Sequence, residues 1–488
     1  MTPTPTPTEI IVGAGSAGMM AALTAAERGV PVLVLDAAGA VGGTLNVATG
    51  QLSAAGTLLQ RRRGITDSPD AHYADIMRIS RNTADPALVR LAVDNAARTL
   101  DWLTENGMEF LPDHPVEGFA HEPYTAARYY WGPEFGRSIL RVLRKAFDAQ
   151  VEAGRITLSL DTALTGLVLS GRRVTAVTAT GPEGERVYPA TSVLLATGGY
   201  NSNPDLFREL SGHPAYGGNS YPHNTGGGLE AARRAGAALR GHENYLCSFG
   251  VVMDRLGLGA KMEFRHVHHP QDRAPWEIYV NTEGRRFVAE DEPSVDAREH
   301  ALLEQPELRR YVVFDARVLR ESPPMITGRT NAELLDLFGV HPMFTAAPTL
   351  ADLAAKTGLP AGALAETVAG YNAALDSGGP DPFGRRHRPV RLEEGPFYAI
   401  RVQGASVTST VGLAVDAGLR VLDAEGEPFE NLSAAGELLG SGQLMGKSFC
   451  GGMMATPAMT FGLLYGEALA GSRARMGLSG RAAGTGGA

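Results

Sequence analysis

The chain has 488 residues, a length that allows two domains and a large buried core. Its formal net charge of -9 argues against a nucleic-acid partner, because nucleic acid is bound by a basic face. With only two cysteines, Cys247 and Cys450, the sequence does not indicate a disulfide scaffold or a cysteine-ligated metal cluster.

The sequence shows no sign of membrane insertion or export. No apolar run approaches the ~20 residues that a membrane span needs. Residues 1–7 have neither the charge nor the apolar core of a signal peptide, and they are typical of a short extended tail. We therefore expect a cytoplasmic protein with no membrane partner.

The first predicted elements form a βαβ unit. An apolar run at 10–12 indicates a buried parallel strand, and it leads into Gly-Ala-Gly-Ser-Ala-Gly at 13–18. A helical segment (17–28) and a second strand (32–35) follow. This order predicts a dinucleotide site, because the glycines admit a pyrophosphate, the helix N-terminus attracts its charge, and a carboxylate after the second strand binds a ribose hydroxyl. The alternative is an ordinary glycine-rich turn. The predicted cofactor contacts in this unit are Gly13, Gly15, Ser16, Ala17, Gly18, Asp36 and Ala37.

Small residues dominate the next segment, 41–51, and such a strip suits close passage along an extended cofactor. The alternative is a flexible loop. The predicted contacts here are Gly42, Gly43, Thr44, Ala48, Thr49, Gly50 and Gln51.

Residues 118–137 concentrate aromatic side chains without a helical or strand period. Such a stretch is typical of a wall or lid beside a site, or equally of a loop pinned to the core. Two β-rich runs (157–169 and 173–180) come later. A buried strand from 192 then ends in a glycine turn, which predicts further cofactor contacts at Thr197, Gly198 and Gly199.

The composition changes between about 240 and 405, where glycine-rich signals stop and charges and prolines increase. This change predicts an inserted second domain. The run Arg-His-Val-His-His-Pro at 265–270 could suggest a metal, but it lacks a carboxylate or thiolate at a recognisable ligand spacing, so we favour a surface loop. After the insertion, a helix predicted at 453–469 would direct its N-terminus into the site and stabilise negative charge on a reduced ring. The predicted contacts here are Gly436, Glu437, Gly452, Met453 and Met454.

These motifs together resemble the FAD-dependent family that contains soluble fumarate reductases, urocanate reductase and the 3-ketosteroid Δ1-dehydrogenases. The matching runs are GAGSAG at 13–18, GGT at 42–44, GITDSP at 64–69, ATGG at 196–199, YVNTEGRRF at 279–287, AGE at 435–437, GG at 451–452 and PAMTFG at 457–462. The resemblance implies an α/β protein whose Rossmann-like FAD-binding domain is built from residues 1–241 and 406–488, with an α+β capping domain at 242–405.

The resemblance also implies roles for individual residues. Asp36 would bind the adenosine ribose, Glu437 the ribityl chain, and the backbone at 452–454 would face the pyrimidine side of the flavin. Family members with covalent FAD carry a histidine near Asn46. Residues 1–60 contain no histidine, so we expect non-covalent FAD.

The departures from the family pattern concern the substrate. Where the dicarboxylate reductases carry an arginine and two histidines, this chain has Phe449, Ser409 and Ser248. Losing one charge-assisted contact to a carboxylate costs on the order of 1.5–3 kcal/mol, so fumarate and succinate are improbable substrates. The steroid dehydrogenases place a tyrosine near Phe449, and that hydroxyl is missing too.

The sequence therefore predicts hydride transfer at a C–C bond next to a carbonyl, on an apolar or cyclic small molecule. The candidate catalytic residues are Phe449, Ser409 and an acid or base, Tyr129 or Tyr130, whose pKa Arg128 would lower through its charge. Two alternatives stay open: an oxidase or C–N/C–O dehydrogenase on the same fold, and a flavoprotein subunit that passes electrons to a partner. The electron donor or acceptor is unknown from the sequence, which has no C-x-x-C-H haem motif or iron–sulfur cysteine run.

Overall fold

The computed structural model describes residues 8–118, 121–213, 220–257, 259–406 and 408–475. The expected N-terminal tail at 1–7 lies outside these residues. Among them, no helix is long and apolar enough to cross a membrane.

The described residues form a mixed α/β structure, as predicted. The strands are β1 Thr8–Val12, β2 Val32–Leu35, β3 Leu52–Ser53, β4 Tyr129–Tyr130, β5 Ile156–Ser159, β6 Ala163–Ser170, β7 Arg173–Gly181, β8 Gly184–Leu195, β9 Leu239–Arg240, β10 Val252–Met253, β11 Met262–Phe264, β12 Ile278–Val280, β13 Arg309–Asp315, β14 Phe344–Ala347, β15 Phe397–Gln403, β16 Gly412–Leu413, β17 Arg420–Leu422 and β18 Pro428–Ala434. The helices are α1 Ser16–Glu27, α2 Leu58–Arg62, α3 Pro69–Ile79, α4 Pro86–Glu105, α5 Gly136–Glu152, α6 Pro204–Ser211, α7 Gly227–Arg234, α8 Val295–Leu303, α9 Ala316–Glu321, α10 Asn331–Leu334, α11 Leu350–Thr357, α12 Ala361–Asp376, α13 Ser441–Leu444 and α14 Ala455–Arg475.

The main sheet has the strand order β17-β18-β8-β1-β2-β5, and the hairpin β6–β7 joins it through β8. Strand β1 lies in its centre and pairs in parallel with β2 and β8. The side chains of Ile10, Ile11 and Val12 are all buried, which explains why an unbroken apolar run forms a strand here: both faces of a central parallel strand are covered.

Helix α1 packs against α14, so the two ends of the chain meet over this sheet. The contact is close because α14 presents glycines: a Cβ at Gly462 would lie 2.2 Å from the Ala17 carbonyl oxygen, and one at Gly466 would lie 2.7 Å from that of Ala21. Helix α14 begins two residues later than predicted and continues to Arg475.

A second, antiparallel sheet has the order β12-β13-β15-β14. All four strands fall between residues 278 and 403, inside the segment predicted as the insertion. The chain leaves the main unit through β9 and returns through β16, and these two strands pair with each other. The proposed boundaries at 241 and 405 stay predictions.

Candidate functional site

The glycine turn after β1 leaves an open space at the start of α1. Gly13 adopts a positive φ of 105°, and a Cβ there would lie 2.2 Å from the Ala196 carbonyl oxygen. A Cβ at Gly18 would lie 1.8 Å from the Gly13 oxygen, so these two glycines serve packing. A Cβ at Gly15 would meet nothing within 4 Å, and no side chain caps the helix there. The N–H groups of the first turn therefore face free space, which suits an anion.

Asp36 fixes this turn from the end of β2. Its carboxylate accepts the Ala14 N–H at 2.5 Å and the Ala38 N–H at 2.7 Å. The side chain is half-buried, and each oxygen keeps a lone pair for a further donor such as a ribose hydroxyl. The neighbouring Ala37 is exposed.

The small-residue strip passes directly beside the glycine turn. The Gly42 N–H donates to the Ala14 carbonyl at 2.8 Å, and a Cβ at Gly43 would lie 3.2 Å from the Gly15 Cα. The strip then turns away, since the Ala48 carbonyl accepts the Gly136 N–H of α5 at 3.0 Å. Its first half, including Thr44, lies nearest the turn. Its second half, with Thr49, Gly50 and Gln51, continues past α5.

A buried polar network surrounds Glu437. One carboxylate oxygen accepts the Ser409 N–H at 3.0 Å, and the other accepts the Asn224 side-chain amide at 3.2 Å, which also donates to Thr44 Oγ1 at 3.2 Å. Burial raises the pKa of Glu437. Gly199 is required here, because a Cβ would lie 2.0 Å from Ser409 Oγ. Asn224 is a member that the sequence analysis missed.

The Gly451–Gly452 pair has no side chains, and other segments of the chain pack closely against its backbone. The Tyr124 hydroxyl donates to the Gly451 carbonyl, and the Tyr129 ring would lie 2.7 Å from a Cβ on Gly451. Gly452 has a positive φ of 82°, and a Cβ there would lie 2.3 Å from the Ser53 nitrogen. Met453 is buried and Met454 is half-buried, just before α14 begins. Residues 451–454 therefore present backbone groups and apolar side chains immediately before the N-terminus of α14.

These features fit an extended dinucleotide. Gly15 leaves open space, the N-terminus of α1 lacks a side-chain cap, and the buried Oγ1 of Thr197, next to Gly198, has no hydrogen-bond partner among the described residues. An orphaned buried hydroxyl is rare in a native protein and points to a missing partner.

Arg128 has a different role from the one predicted. Its guanidinium is fully buried and forms salt bridges with Asp67 at 2.7 Å and Asp75 at 2.8 Å. It holds the segment before β4 against α3, and two carboxylates already neutralise its charge. The charge of Arg128 still acts to lower the pKa of Tyr130, but burial outweighs it and the pKa rises, so the predicted net lowering of a tyrosine pKa by Arg128 is wrong.

The tyrosines confirm this correction. Burial raises the pKa of Tyr129 and of Tyr130. Tyr130 is fully buried and its hydroxyl is hydrogen-bonded to Thr57 Oγ1 at 2.8 Å. Tyr130 is therefore a core residue, while Tyr129 stays beside Gly451 with a hydroxyl that keeps its proton at neutral pH.

The two serines at the family's histidine positions face the protein. Ser409 is fully buried, its Oγ accepts the Tyr200 N–H at 2.7 Å, and its proton is donated to Asn201 Oδ1 at 2.5 Å. Ser248 pairs with Ala405: its N–H donates to the Ala405 carbonyl at 2.9 Å, and its Oγ accepts the Ala405 N–H at 3.4 Å. The expectation that a serine hydroxyl binds the substrate is wrong for Ser409, because its donor and acceptor are both used.

The histidine run at 265–270 is not a surface loop. His266 is buried, 3.3 Å from Glu277, and burial lowers the pKa of His266 to about 4. Arg298 of α8 is fully buried and donates to the His268 carbonyl, to His268 Nδ1 at 2.9 Å and to His269 Nδ1 at 3.4 Å. Sequence polarity suggested exposure, but these histidines serve as neutral acceptors for a buried cation.

Helix α8 also approaches Phe449. Its Asp296 binds His121, and the His121 ring lies 4.5 Å from the Phe449 ring, centroid to centroid. The surroundings of Phe449 are therefore more polar than the sequence suggested. His121 lies within the aromatic stretch at 118–137, but nothing in the sequence links it to Asp296, 175 residues away.

Comparisons with known proteins show the family of the chain. The profile of the FAD binding domain family matches residues 9–453. The chain is 30% identical to the fumarate reductase (cytochrome) of Shewanella frigidimarina over 471 residues, covering 94% of this chain and 76% of that protein. It is 26% identical to the 4-oxocyclohexanecarboxylate 2-dehydrogenase of Sinomonas cyclohexanicum, covering 97% and 94%.

Among solved structures, the 3-ketosteroid Δ1-dehydrogenase of Sterolibacterium denitrificans has a TM-score of 0.75, 21% identity and coverage of 96% of this chain and 100% of that chain, a likeness of fold. The glycine turn, the bare Gly451–Gly452 backbone and these matches lead to one conclusion. The chain belongs to the FAD binding domain family, and it is an FAD-dependent oxidoreductase that acts on carbon–carbon bonds.

Proposed function

We propose that this protein transfers hydride at a C–C bond next to a carbonyl group, on an apolar or cyclic substrate rather than on fumarate or succinate. The reaction is the α,β-desaturation of a ketone or the reverse reduction of an enone. The observation that carries the proposal is Phe449: a half-buried apolar ring, not a cation, stands two residues before the bare backbone of Gly451.

The apolar ring of Phe449 supports a substrate with one polar group rather than two carboxylates. On the cap side, Arg298 supplies a buried guanidinium held mainly by neutral acceptors of His268 and His269. A buried cation suits a carbonyl oxygen on which negative charge develops. The second carboxylate of fumarate would meet the Phe449 ring, and an unpaired carboxylate in a closed site is costly.

The cofactor assignments belong to the same proposal. The helix N-terminus at Gly15 would hold the pyrophosphate, Asp36 a ribose, Glu437 the ribityl chain and the backbone from Gly452 the flavin ring. Bound FAD supplies two-electron hydride chemistry at its N5. The attachment is non-covalent: Asn46 stands near the family's histidine position, and its amide donates to the Gly43 carbonyl at 3.0 Å.

Tyr129 is the proposed donor to the substrate's carbonyl oxygen. Its hydroxyl keeps its proton, because burial raises its pKa, and a protonated phenol stabilises the negative charge that builds on that oxygen. The name of the Sinomonas relative, a 4-oxocyclohexanecarboxylate 2-dehydrogenase, describes a cyclic ketone with one carboxylate, and its ring supports a cyclic substrate here.

Substitution of Phe449 tests the proposal. Phe449→Arg puts an unpaired charge beside the substrate, so turnover of the best enone–ketone pair should fall at least tenfold. Phe449→Leu keeps an apolar side chain and is the matched control, with an expected loss below threefold. The assay is anaerobic flavin reduction followed by absorbance, with FAD content measured for each variant. An unaffected Phe449→Arg variant, or one that gains on the wild type, would contradict the proposal.

A further inference from the structure

His121 lies where helix α8 meets the segment that carries Phe449. Its ring centroid is 4.5 Å from that of Phe449, with the planes tilted by 37°. Three residues later, Tyr124 donates its hydroxyl to the Gly451 carbonyl. The same short segment therefore contacts both Phe449 and the glycine pair, which places the imidazole at the edge of the proposed substrate site.

One nitrogen of this imidazole is fixed and the other is available. The Nδ1–H donates to Asp296 Oδ1 at 3.2 Å, and the second oxygen of Asp296 accepts the Glu122 N–H at 2.8 Å. Glu299 lies 4.0 Å from Nδ1. Within the described residues every hydrogen bond of the ring uses Nδ1, and the side chain is 28% exposed. A carboxylate that accepts the Nδ1–H fixes the tautomer and leaves Nε2 as the nitrogen that can take up a proton.

The surrounding charges suit proton exchange near neutral pH. Burial by itself would lower the pKa of His121, but the hydrogen bond to Asp296 and the charge of Glu299 raise it overall, against the opposing Arg298. Burial raises the pKa of Glu299 to about 7. His269, from the loop facing α8, and the adjacent Glu122 are further titratable groups near His121. The ideal catalytic pKa lies near the working pH.

The aromatic hydroxyls nearby are less suitable for this task. Tyr124 donates to Gly451, and Tyr130 is bonded to Thr57 inside the core. Burial raises the pKa of Tyr129, so this residue donates a hydrogen bond but does not take up and release a proton near neutral pH.

We propose that His121 is the general acid and base of this site, and that its Nε2 exchanges a proton with the carbon next to the substrate's carbonyl. The inference rests on the proposed function. In desaturation, the C–H bond at that carbon breaks, the proton forms an N–H bond at Nε2, and the electron pair moves toward the carbonyl. The neighbouring carbon loses hydride, and the two-electron acceptor is the flavin of the proposed function. Asp296 is a positioning residue.

The first experiment compares His121→Gln with His242→Gln, a matched change at an exposed histidine. Anaerobic stopped-flow measures flavin reduction by the saturated ketone across pH 5 to 9. General acid–base catalysis contributes about 10²–10⁴-fold, so the reduction rate of His121→Gln should fall at least 10²-fold. Its ketone Kd should change less than threefold, the pH dependence should flatten, and added imidazole should restore part of the rate. His242→Gln should match the wild type in all of these.

A second measurement does not depend on activity. In protein labelled with [13Cε1]histidine, the resonance absent from His121→Gln is that of His121. It should titrate above the ordinary value of about 6.5, and Asp296→Asn should move that midpoint down. Melting temperature and FAD content show whether each variant is folded. If Asp296→Asn leaves the titration midpoint of His121 unchanged, Asp296 does not position His121 and the proposal is contradicted.

The outcomes separate the two proposals. If the wild type reacts with no enone–ketone pair, the proposed function fails and the role of His121 fails with it. If the wild type reacts and His121→Gln stays within threefold, only the His121 inference fails. One ligand atom each from His121, Asp296 and Glu299 also lie within 4.8 Å of one another. Activity lost on chelation and restored by a divalent cation would assign them to a metal and overturn the inference.

Discussion

Replacing Arg128 by methionine should destabilise the protein without acting on the chemistry directly. Arg128 is fully buried and donates to Asp67 through Nη2 at 2.7 Å and Nε at 3.0 Å, and to Asp75 through Nη1 at 2.8 Å. Breaking a buried ion pair by removing one partner costs about 3–5 kcal/mol, because the other charge stays buried and uncompensated.

The structure indicates which end of that range to expect. Asp75 keeps the N–H and hydroxyl of Thr125 and a salt bridge to Arg78, so it remains well paired. Asp67 has a fully buried carboxylate and keeps the Gln60 amide at 2.7 Å and the Ser68 N–H at 2.8 Å. Since both carboxylates keep donors, we expect a loss near 3 kcal/mol, about a hundredfold in the unfolding equilibrium.

Arg78→Met is the control, because Arg78 binds the same Asp75 but is 42% exposed. An exposed pair contributes about 0–1 kcal/mol, so this variant should lose less than about 1 kcal/mol. The assay is urea unfolding of the FAD-loaded protein, with the kinetics of both variants measured in parallel. A catalytic arginine would behave differently: Arg128→Met would keep a free energy of unfolding within about 1 kcal/mol of the wild type and still lose its turnover. That result would refute the structural role of Arg128.

Two further predictions concern the cofactor and pH. Gly15→Val puts a side chain into the open space at the glycine turn and should lower FAD occupancy after desalting to below a tenth. Gly370→Val, at an exposed glycine of α12 with equally open space, should keep full occupancy. Full occupancy in Gly15→Val would show that the phosphates lie elsewhere. Burial raises the pKa of Glu299 to about 7, so the stability that this group contributes is present at low pH and is lost as pH rises through 7. Glu299→Gln should therefore melt higher relative to the wild type at pH 8 than at pH 5, and an equal difference at both pH values would contradict the assignment.

The parts of the fold that follow local rules were predictable from the sequence. Strand β1, helix α1 and strand β2 lie within two residues of their predicted bounds, because an apolar run, a glycine turn and a helical segment each determine their own conformation. The resemblance to the family, and with it the α/β fold, is confirmed by the comparisons.

The polar contacts of the site were not predictable, because they join distant segments. Arg128 meets carboxylates 53 and 61 residues away, and the Ser409 hydroxyl meets Asn201, 208 residues away. Residue type alone suggested a catalytic arginine and a substrate-binding serine. Only the tertiary structure shows that their donors are already used, and it likewise buries His266 against Glu277, where the sequence indicated exposure.

The preference for a carbonyl substrate over fumarate is tested most directly by reoxidation of the reduced protein. Protein with its FAD reduced anaerobically by a viologen is mixed with cyclic enones or with fumarate, and the return of the oxidised flavin spectrum is recorded. We expect rapid reoxidation by at least one cyclic enone and none by fumarate above the rate in buffer. Reoxidation by fumarate at a rate equal to or above that of every enone would contradict it.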